Sequence, residues 1–317
     1  MERIKNMKEF YCSTPRYCDI PTFMRIPQYG QIDNPDIIVI GIPFDDTSSY
    51  RSGSRFGPRE IRNASTCLKK YNRCLDVDIF ADSITVDYGD IPVIPGYIEK
   101  SYTLISECIK KVVVHDNAIP ISIGGDHGII LPELRGLKEK HGKLSVISFD
   151  AHRDCSKSHF GELYGHGTTL RRAIEEELIE PSTSVILGVR GSGYSPNDYK
   201  IAQDLSFNLI DMETYIESNP KDIVKTIRET VGKNKCILTF DMDCVDPAYA
   251  PAINTPEIGG FTSRECLYMI RNLTGINIVA ADLVEVNPQY DSGGITNFLA
   301  ASILFEIISV IVKNLKI

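Results

Sequence analysis

The chain of 317 residues contains no tryptophan and only six histidines, and none of its nine cysteines stands in a Cys-x-x-Cys pair. Without that spacing there is no zinc ribbon and no thioredoxin-type redox pair. Cys236 and Cys244 lie in apolar strand context, which reads as free thiols kept reduced in the cytoplasm and not as a disulfide framework. Positive charge is also in deficit: 34 Lys and Arg face 42 Asp and Glu, a formal net charge of −8. That balance argues against nucleic acid or an anionic membrane surface as partner and is compatible with a cationic substrate. Long apolar runs are scarce. Ile295 to Val312 is interrupted by Asn297 and Glu306, so a buried C-terminal helix is expected there and not a membrane span. The opening MERIKNMKEFYCSTPRY has no apolar core segment of a signal peptide. A nucleophile elbow and a GxGxxG after the first strand are missing, and GGDHG lacks the lysine and hydroxyl of a phosphate-cradling loop.

What is present is a steady alternation of strand-like and helix-like stretches, with 43% hydrophobic residues to fill a core. Residues 1–34, with Pro15, Pro21, Pro27 and Asn34, read as an irregular arm lying on the domain or on a neighbouring subunit. Residues 35–317 read as one domain. Its strands are Asp36 to Phe44, ITVDYGDI, Ile119 to Ile123, the run into Asp150, SVILGVRG, FNLIDM, CILTFD and INIVAADLVEVN. Helices are expected from Pro58 to about Tyr71, Lys100 to Val114, Leu131 to Lys140, Thr168 to Leu178, Pro196 to Asp204, Lys221 to Val231 and Ser263 to Leu273. Such a pattern builds either a doubly wound parallel sheet or a (β/α)₈ barrel, and in both the ligands sit at the carboxyl ends of the strands.

Those strand ends are where the acids gather. VISFDAHRD delivers Asp150, His152 and Asp154 two residues apart, which on an extended strand would put them on one face. CILTFDMDCVD delivers Asp241 and Asp243, and IPISIGGDHG ends in Asp126 and His127. Single carboxylates beside glycine or proline are ordinarily turn residues. Four of them on neighbouring strands are another matter, because two like charges about 4 Å apart repel by about 4 kcal/mol. Several such pairs would cancel the stability of a domain, about 5 to 15 kcal/mol. Two divalent cations would balance Asp150, Asp154, Asp241 and Asp243 and use His127 and His152 as further ligands. Oxygen-rich ligation with imidazole and no thiolate favours Mn²⁺ ahead of Fe²⁺ or Zn²⁺. A pair of such ions lowers the pKa of water held between them, so hydrolysis at an electrophilic carbon is the expected reaction. His166, in YGHGTTLRR, is placed to move protons, and Glu285, in ADLVEVNP, to pair with a cationic group such as a guanidinium.

The set GGDH, SFDAHRD, FDMDCVDPAYAP and EVNPQYD, in this order, resembles the ureohydrolase family of dinuclear manganese enzymes that includes arginase and agmatinase. TPRYCDIPTFMRIP, GSRFGPREIR and YGHGTTLRRAIEEELI resemble its agmatinase branch. The resemblance implies a single-domain three-layer α/β/α fold with a mostly parallel eight-stranded sheet, commonly assembled as a homotrimer or homohexamer. It implies one metal held by His127, Asp150, Asp154 and Asp241 and a second held by Asp150, His152, Asp241 and Asp243. It further implies His166 as the proton-shuttling or substrate-positioning histidine and Glu285 as the guanidinium-binding carboxylate. The expected activity is hydrolysis of a guanidino compound to urea and an amine, with agmatine giving putrescine as the first expectation.

Three departures bear on the substrate. Arg153 fills the variable position of DAHxD, where its side chain is expected on the strand face opposite the ligands; PAINTPE places Ile253 and Asn254 where the family carries less bulk; and GGDHG replaces GGDHS. With Arg171 and Arg172 they leave open a carboxylate-tailed substrate such as 4-guanidinobutyrate. Two readings from other classes are a mononuclear zinc amidohydrolase, which would not need His127, Asp154 and Asp243 together, and a metal-binding homologue without turnover.

Overall fold

β-branched and leucine-rich runs bounded by turn residues form the eight strands of a single sheet: β1 Ile37–Ile42, β2 Thr85–Asp90, β3 Ile119–Gly124, β4 Ser145–Phe149, β5 Val185–Val189, β6 Asn208–Asp211, β7 Cys236–Asp241 and β8 Ile278–Val284. The computed structural model describes residues 14–18 and 20–316. All pairings within this sheet are parallel, and the order is β2-β1-β3-β8-β7-β4-β5-β6. Because β2 and β6 are free edges, the sheet is open and the barrel alternative falls away.

Strand alternation separates two cores. In β7, Cys236, Leu238 and Phe240 face the layer formed by helices α1 Gly57–Ser65, α5 Pro220–Val231, α6 Ser263–Arg271 and α7 Ile295–Leu315. Ile237, with Val146, Ile186 and Ala280, faces the layer formed by α2 Ile98–Val114, α3 Ile130–His141 and α4 Thr169–Glu175. The architecture is therefore the three-layer α/β/α sandwich expected from the motifs. The β1, β5 and β7 strands are buried at every position, as strands covered on both faces must be.

The last helix, α7, is long and apolar enough to cross a bilayer, but it is packed into the first of these layers with Ile303, Leu304, Ile307 and Ile311 buried. Its one acid, Glu306, accepts a hydrogen bond from Asn72 Nδ2 at 2.8 Å and pairs with Arg271 Nη2 at 2.5 Å. A buried carboxylate left without those partners would cost several kcal/mol, about 3 to 5. At the opposite side of the sheet, Tyr29 N donates to Asp87 O and Asp87 N to Pro27 O, each at 2.8 Å, so residues 27–29 cover the free edge of β2. Residues 27–29 of the expected N-terminal arm thus lie on the sheet of their own chain; residues 1–13 and 19 of the arm fall outside the described residues.

Among the expected helices that are shorter than their sequence suggested, two are cut short by side chains that compete for backbone groups. The first ends at Ser65, where Ser65 and Thr66 hydroxyls bond back to the carbonyls of Arg62 and Asn63, and a small hairpin (Tyr71–Asn72 with Val77–Asp78) follows. The second is reduced to Ile201–Asp204 because Asp198 takes the N–H groups of Tyr194 and Ser195 into a tight turn.

Candidate metal centre

β3, β8, β7 and β4 are four adjacent strands at the middle of the sheet, so the segments that follow them meet. They carry His127, Glu285, the pair Asp241 and Asp243, and the segment Asp150 to Asp154. The close approach depends on Gly125: a Cβ there would stand 1.7 Å from Phe44 O, and its own carbonyl takes the N–H of Glu285 at 2.8 Å. One expectation about the local geometry is corrected. β4 ends at Phe149 and residues 150–154 are irregular, with Asp154 in the left-handed region (φ 49°). Asp150, His152 and Asp154 converge through that bend and not through strand alternation.

Two overlapping groups result, His127 with Asp150 and Asp154, and Asp150 with His152 and Asp243. His127 Nδ1 stands 3.2 Å from Asp150 Oδ2, 2.9 Å from Asp154 Oδ2 and 3.2 Å from Asp241 Oδ2. His152 Nδ1 stands 2.8 Å from Asp243 Oδ2 and 3.7 Å from Asp150 Oδ1. Three of the acids have one oxygen tied to backbone: Asp150 Oδ1 accepts from His152 N, Asp241 Oδ1 from Asp243 N and Asp243 Oδ1 from Ala151 N. Their other oxygens are turned inward. In these contacts Asp241 faces the His127 group; its sharing with the second group remains an expectation.

Do these donors fit a cation? His127 Nδ1 and Asp150 Oδ2 are fully buried without a hydrogen-bond partner. The tautomer can be worked out from the far side of the ring. Thr239 Oγ1 donates its one hydrogen to Asp282 Oδ1 at 2.6 Å, so it can only accept from His127 Nε2 at 2.9 Å. In the neutral ring Nδ1 is then a bare lone pair aimed at three carboxylates, which is a ligand's arrangement. The crowding of these carboxylates shows in their affinity for protons. Burial, then the charges of Asp154 and Asp243, push Asp150 up to about 7. Burial, then the charges of Asp243 and Asp150, push Asp241 well above the carboxylate range. Burial alone would lower the two histidines, but their carboxylate neighbours raise both, His152 to about 10. The residues fit divalent cations bound by oxygen and imidazole.

Beside this cluster lies a second pair. Glu285 is completely buried in the left-handed region (φ 68°), a strained conformation for a side-chain-bearing residue. Its Oε1 accepts from His127 N at 2.7 Å and faces His166 Nδ1 at 3.0 Å, while Oε2 has no partner. His166 is not a solvated loop residue but buried, and although burial opposes its charge, Glu285, Asp126 and Asp154 hold it up at about 9.

The residues named for the substrate tail are sorted by the structure. Ile253 and Asn254 are fully buried, Asn254 bonding Ser48, Ser54 and Asn287, so they shape a loop and do not add bulk to a cleft. Arg171 and Arg172 are both taken by Glu175. Arg153 lies over the Tyr199 ring at 5.1 Å, and its charge acts on Asp198 without forming an ion pair among the described residues. Sequence reasoning placed Asp126 at a strand end but gave it no role, and its carboxylate ties down Thr47 and Ser48; missed altogether was a buried seam of Ser122, Glu133, Thr239 and Asp282 behind His127. Burial and then Asp282 push Glu133 well above the carboxylate range. The signal was available as polar residues at single positions of otherwise apolar strands.

Compared with known proteins, residues 35–309 match the arginase family model. The chain belongs to the arginase family. Among curated members, guanidinobutyrase of Pseudomonas aeruginosa is 37% identical over 300 residues, covering 94% of each chain. Mitochondrial agmatinase of Gallus gallus is 37% identical over 292 residues, covering 92% of this chain and 86% of that one. Among solved structures, proclavaminate amidino hydrolase from Streptomyces clavuligerus superposes with a TM-score of 0.90 at 35% identity, covering 95% of this chain and 100% of that one. The chain is thus an arginase-family guanidino hydrolase, and the substrates for which these relatives are named differ among them.

Proposed function

We propose that this chain hydrolyses a linear guanidino compound to urea and an amine, with two Mn²⁺ ions held by His127, Asp150, His152, Asp154, Asp241 and Asp243. When bound, the ions supply a water of lowered pKa. The observation that carries the reading is Glu285 Oε2, a buried carboxylate oxygen with no donor beside the cluster. A planar guanidinium offers that donor and orients its carbon by doing so. His166, fixed by the other Glu285 oxygen, holds a proton next to that position.

For the tail, a carboxylate fits better than the ammonium of agmatine that the motifs first suggested. Arg153, between two of the proposed ligands in sequence, makes no ion pair among the described residues although its charge reaches Asp198, and a second cation on the substrate would meet that charge. Urea release is to be measured with 4-guanidinobutyrate, 3-guanidinopropionate, agmatine and arginine side by side. The expected order places a guanidino acid ahead of agmatine in kcat/KM by about tenfold or more, with Arg153→Ala reducing that preference. A highest kcat/KM for agmatine would return the chain to the agmatinase reading, and no urea from any of them would favour the homologue without turnover.

A further inference from the structure

On the reading just given, His166 must keep a proton beside Glu285, and the ring nitrogen away from Glu285 has its own partner. His166 Nε2 is approached by Ser49 twice, by the backbone N–H at 3.2 Å and by Oγ at 2.7 Å. The loop that carries Ser49 is clasped onto the same turn. Thr47 O accepts from His166 N at 3.2 Å, while Asp126 accepts from Thr47 N at 2.8 Å, from Thr47 Oγ1 at 2.7 Å and from Ser48 Oγ at 3.3 Å. Asp126 is fully buried, so this anchor is shielded from solvent.

We propose that Ser49 is the positioning residue of His166, holding the ring so that Nδ1–H faces Glu285 and using its hydroxyl to support the charged form of the ring. The chemistry of the two contacts differs. The backbone N–H can only donate, so in the neutral ring it keeps the lone pair on Nε2 and the hydrogen on Nδ1. The hydroxyl donates to that lone pair in the neutral ring and turns to accept from Nε2–H in the imidazolium. Removing Oγ therefore leaves only the contact that favours the neutral ring. The other charged or titratable groups facing His166 are Glu285 at the end of β8, Asp126 at the end of β3, Asp154 after β4, and His159, whose ring is 5.6 Å away. None of them reaches Nε2 within hydrogen-bond distance among the described residues. Their contributions stay in place when Ser49 is changed.

The test compares wild type, Ser49→Ala and Ser49→Thr as Mn²⁺-loaded protein, following urea release against pH on the best guanidino compound of the panel, with metal content measured for each. For Ser49→Ala the alkaline limb of kcat moves down by about one pH unit, the size of one hydrogen bond to a charged group. At the wild-type midpoint kcat then falls roughly fivefold, while two units below it hardly changes; KM and metal content stay as in wild type. Ser49→Thr, which keeps both the hydroxyl and the N–H, restores the limb. An alkaline limb that does not move in Ser49→Ala overturns the inference while leaving the hydrolase reading intact. So does a loss in both variants at every pH together with raised KM or lost metal, which would make Ser49 only part of the loop's packing. Wild-type protein that releases no urea removes the hydrolase reading and this inference together.

Discussion

Asp241→Asn separates a ligand from a cap. The bland role for Asp241 is visible: its Oδ1 caps the short turn Met242–Cys244 through Asp243 N at 2.8 Å. Asparagine keeps that oxygen, so the cap survives the substitution. What changes is Oδ2, the atom 3.2 Å from His127 Nδ1; as an amide it loses a charge and gains donors that can satisfy the orphaned lone pair. Removing one of several acids whose pairwise repulsion is about 4 kcal/mol at 4 Å should stabilise the metal-free protein by about 1 to 3 kcal/mol. At about 2.1 cal/mol/K per residue, 317 residues give an unfolding entropy near 0.67 kcal/mol/K, so about 2 kcal/mol is roughly 3 °C in Tm. Mn²⁺ at about a hundred times its Kd adds about 2.7 kcal/mol per site, roughly 4 °C each. Thermal unfolding with chelator and with excess Mn²⁺ reads both terms. The variant should melt at or above wild type without metal and lose at least half of the metal-induced rise. A variant that melts several degrees lower in chelator yet keeps the full rise would show that Asp241 is a cap and not a ligand.

Two further outcomes follow from the same cluster. Asp150 is raised to about 7 in the metal-free fold, above its unfolded value, so the stability it contributes is present in acid and lost as pH rises through about 7; a cation takes the place of those protons, and the Mn²⁺-induced rise in Tm should be small at pH 5 and grow toward pH 8. A rise that is flat across that interval would contradict the assigned cluster. Glu285→Gln keeps the shape but not the charge that meets the guanidinium, so kcat/KM should fall about 10²-fold with metal content unchanged. Retained kcat/KM in that variant would move the guanidinium elsewhere.

How much of this was legible beforehand varies with the distance over which the cause acts. Strand identity is local, and all eight strands were readable from β-branched apolar runs. Strand order is not local: nothing in CILTFD says that it lies between INIVAADLVEVN and VISFD, yet that adjacency is what makes four aspartates a cluster. The gathering of His127, Asp150, His152, Asp154, Asp241 and Asp243 was inferable from charge, but the route to it through an irregular bend with Asp154 at φ 49° was not. Periodicity also failed where side chains compete for backbone groups, as Ser65, Thr66 and Asp198 do. Arg171 and Arg172 looked free in sequence because Glu175, four and three residues away, is as well placed for a surface pair as for nothing at all.

The buried seam behind the centre shows why the sheet's middle tolerates polar residues at all. Ser122, Thr239 and Asp282 occupy the second-layer face of adjacent strands, where alternation otherwise places Ile237, Ala280 and Val284. Apolar side chains there would pack well and contribute about 1.5 to 3 kcal/mol each. They would also leave His127 Nε2 without an acceptor, free to carry its hydrogen on either nitrogen. The Asp282, Thr239, His127 chain removes that freedom, because each hydroxyl has one hydrogen to give and Asp282 claims it. Glu133, buried against Asp282 and bonded by Ser122, adds a second carboxyl that stays protonated more readily than an isolated one. With the Thr239 hydroxyl accepting from Nε2 on one side of the ring, the neutral form of His127 presents its Nδ1 lone pair toward the carboxylates on the other, a fixed direction that no single residue of the motif GGDHG could supply alone.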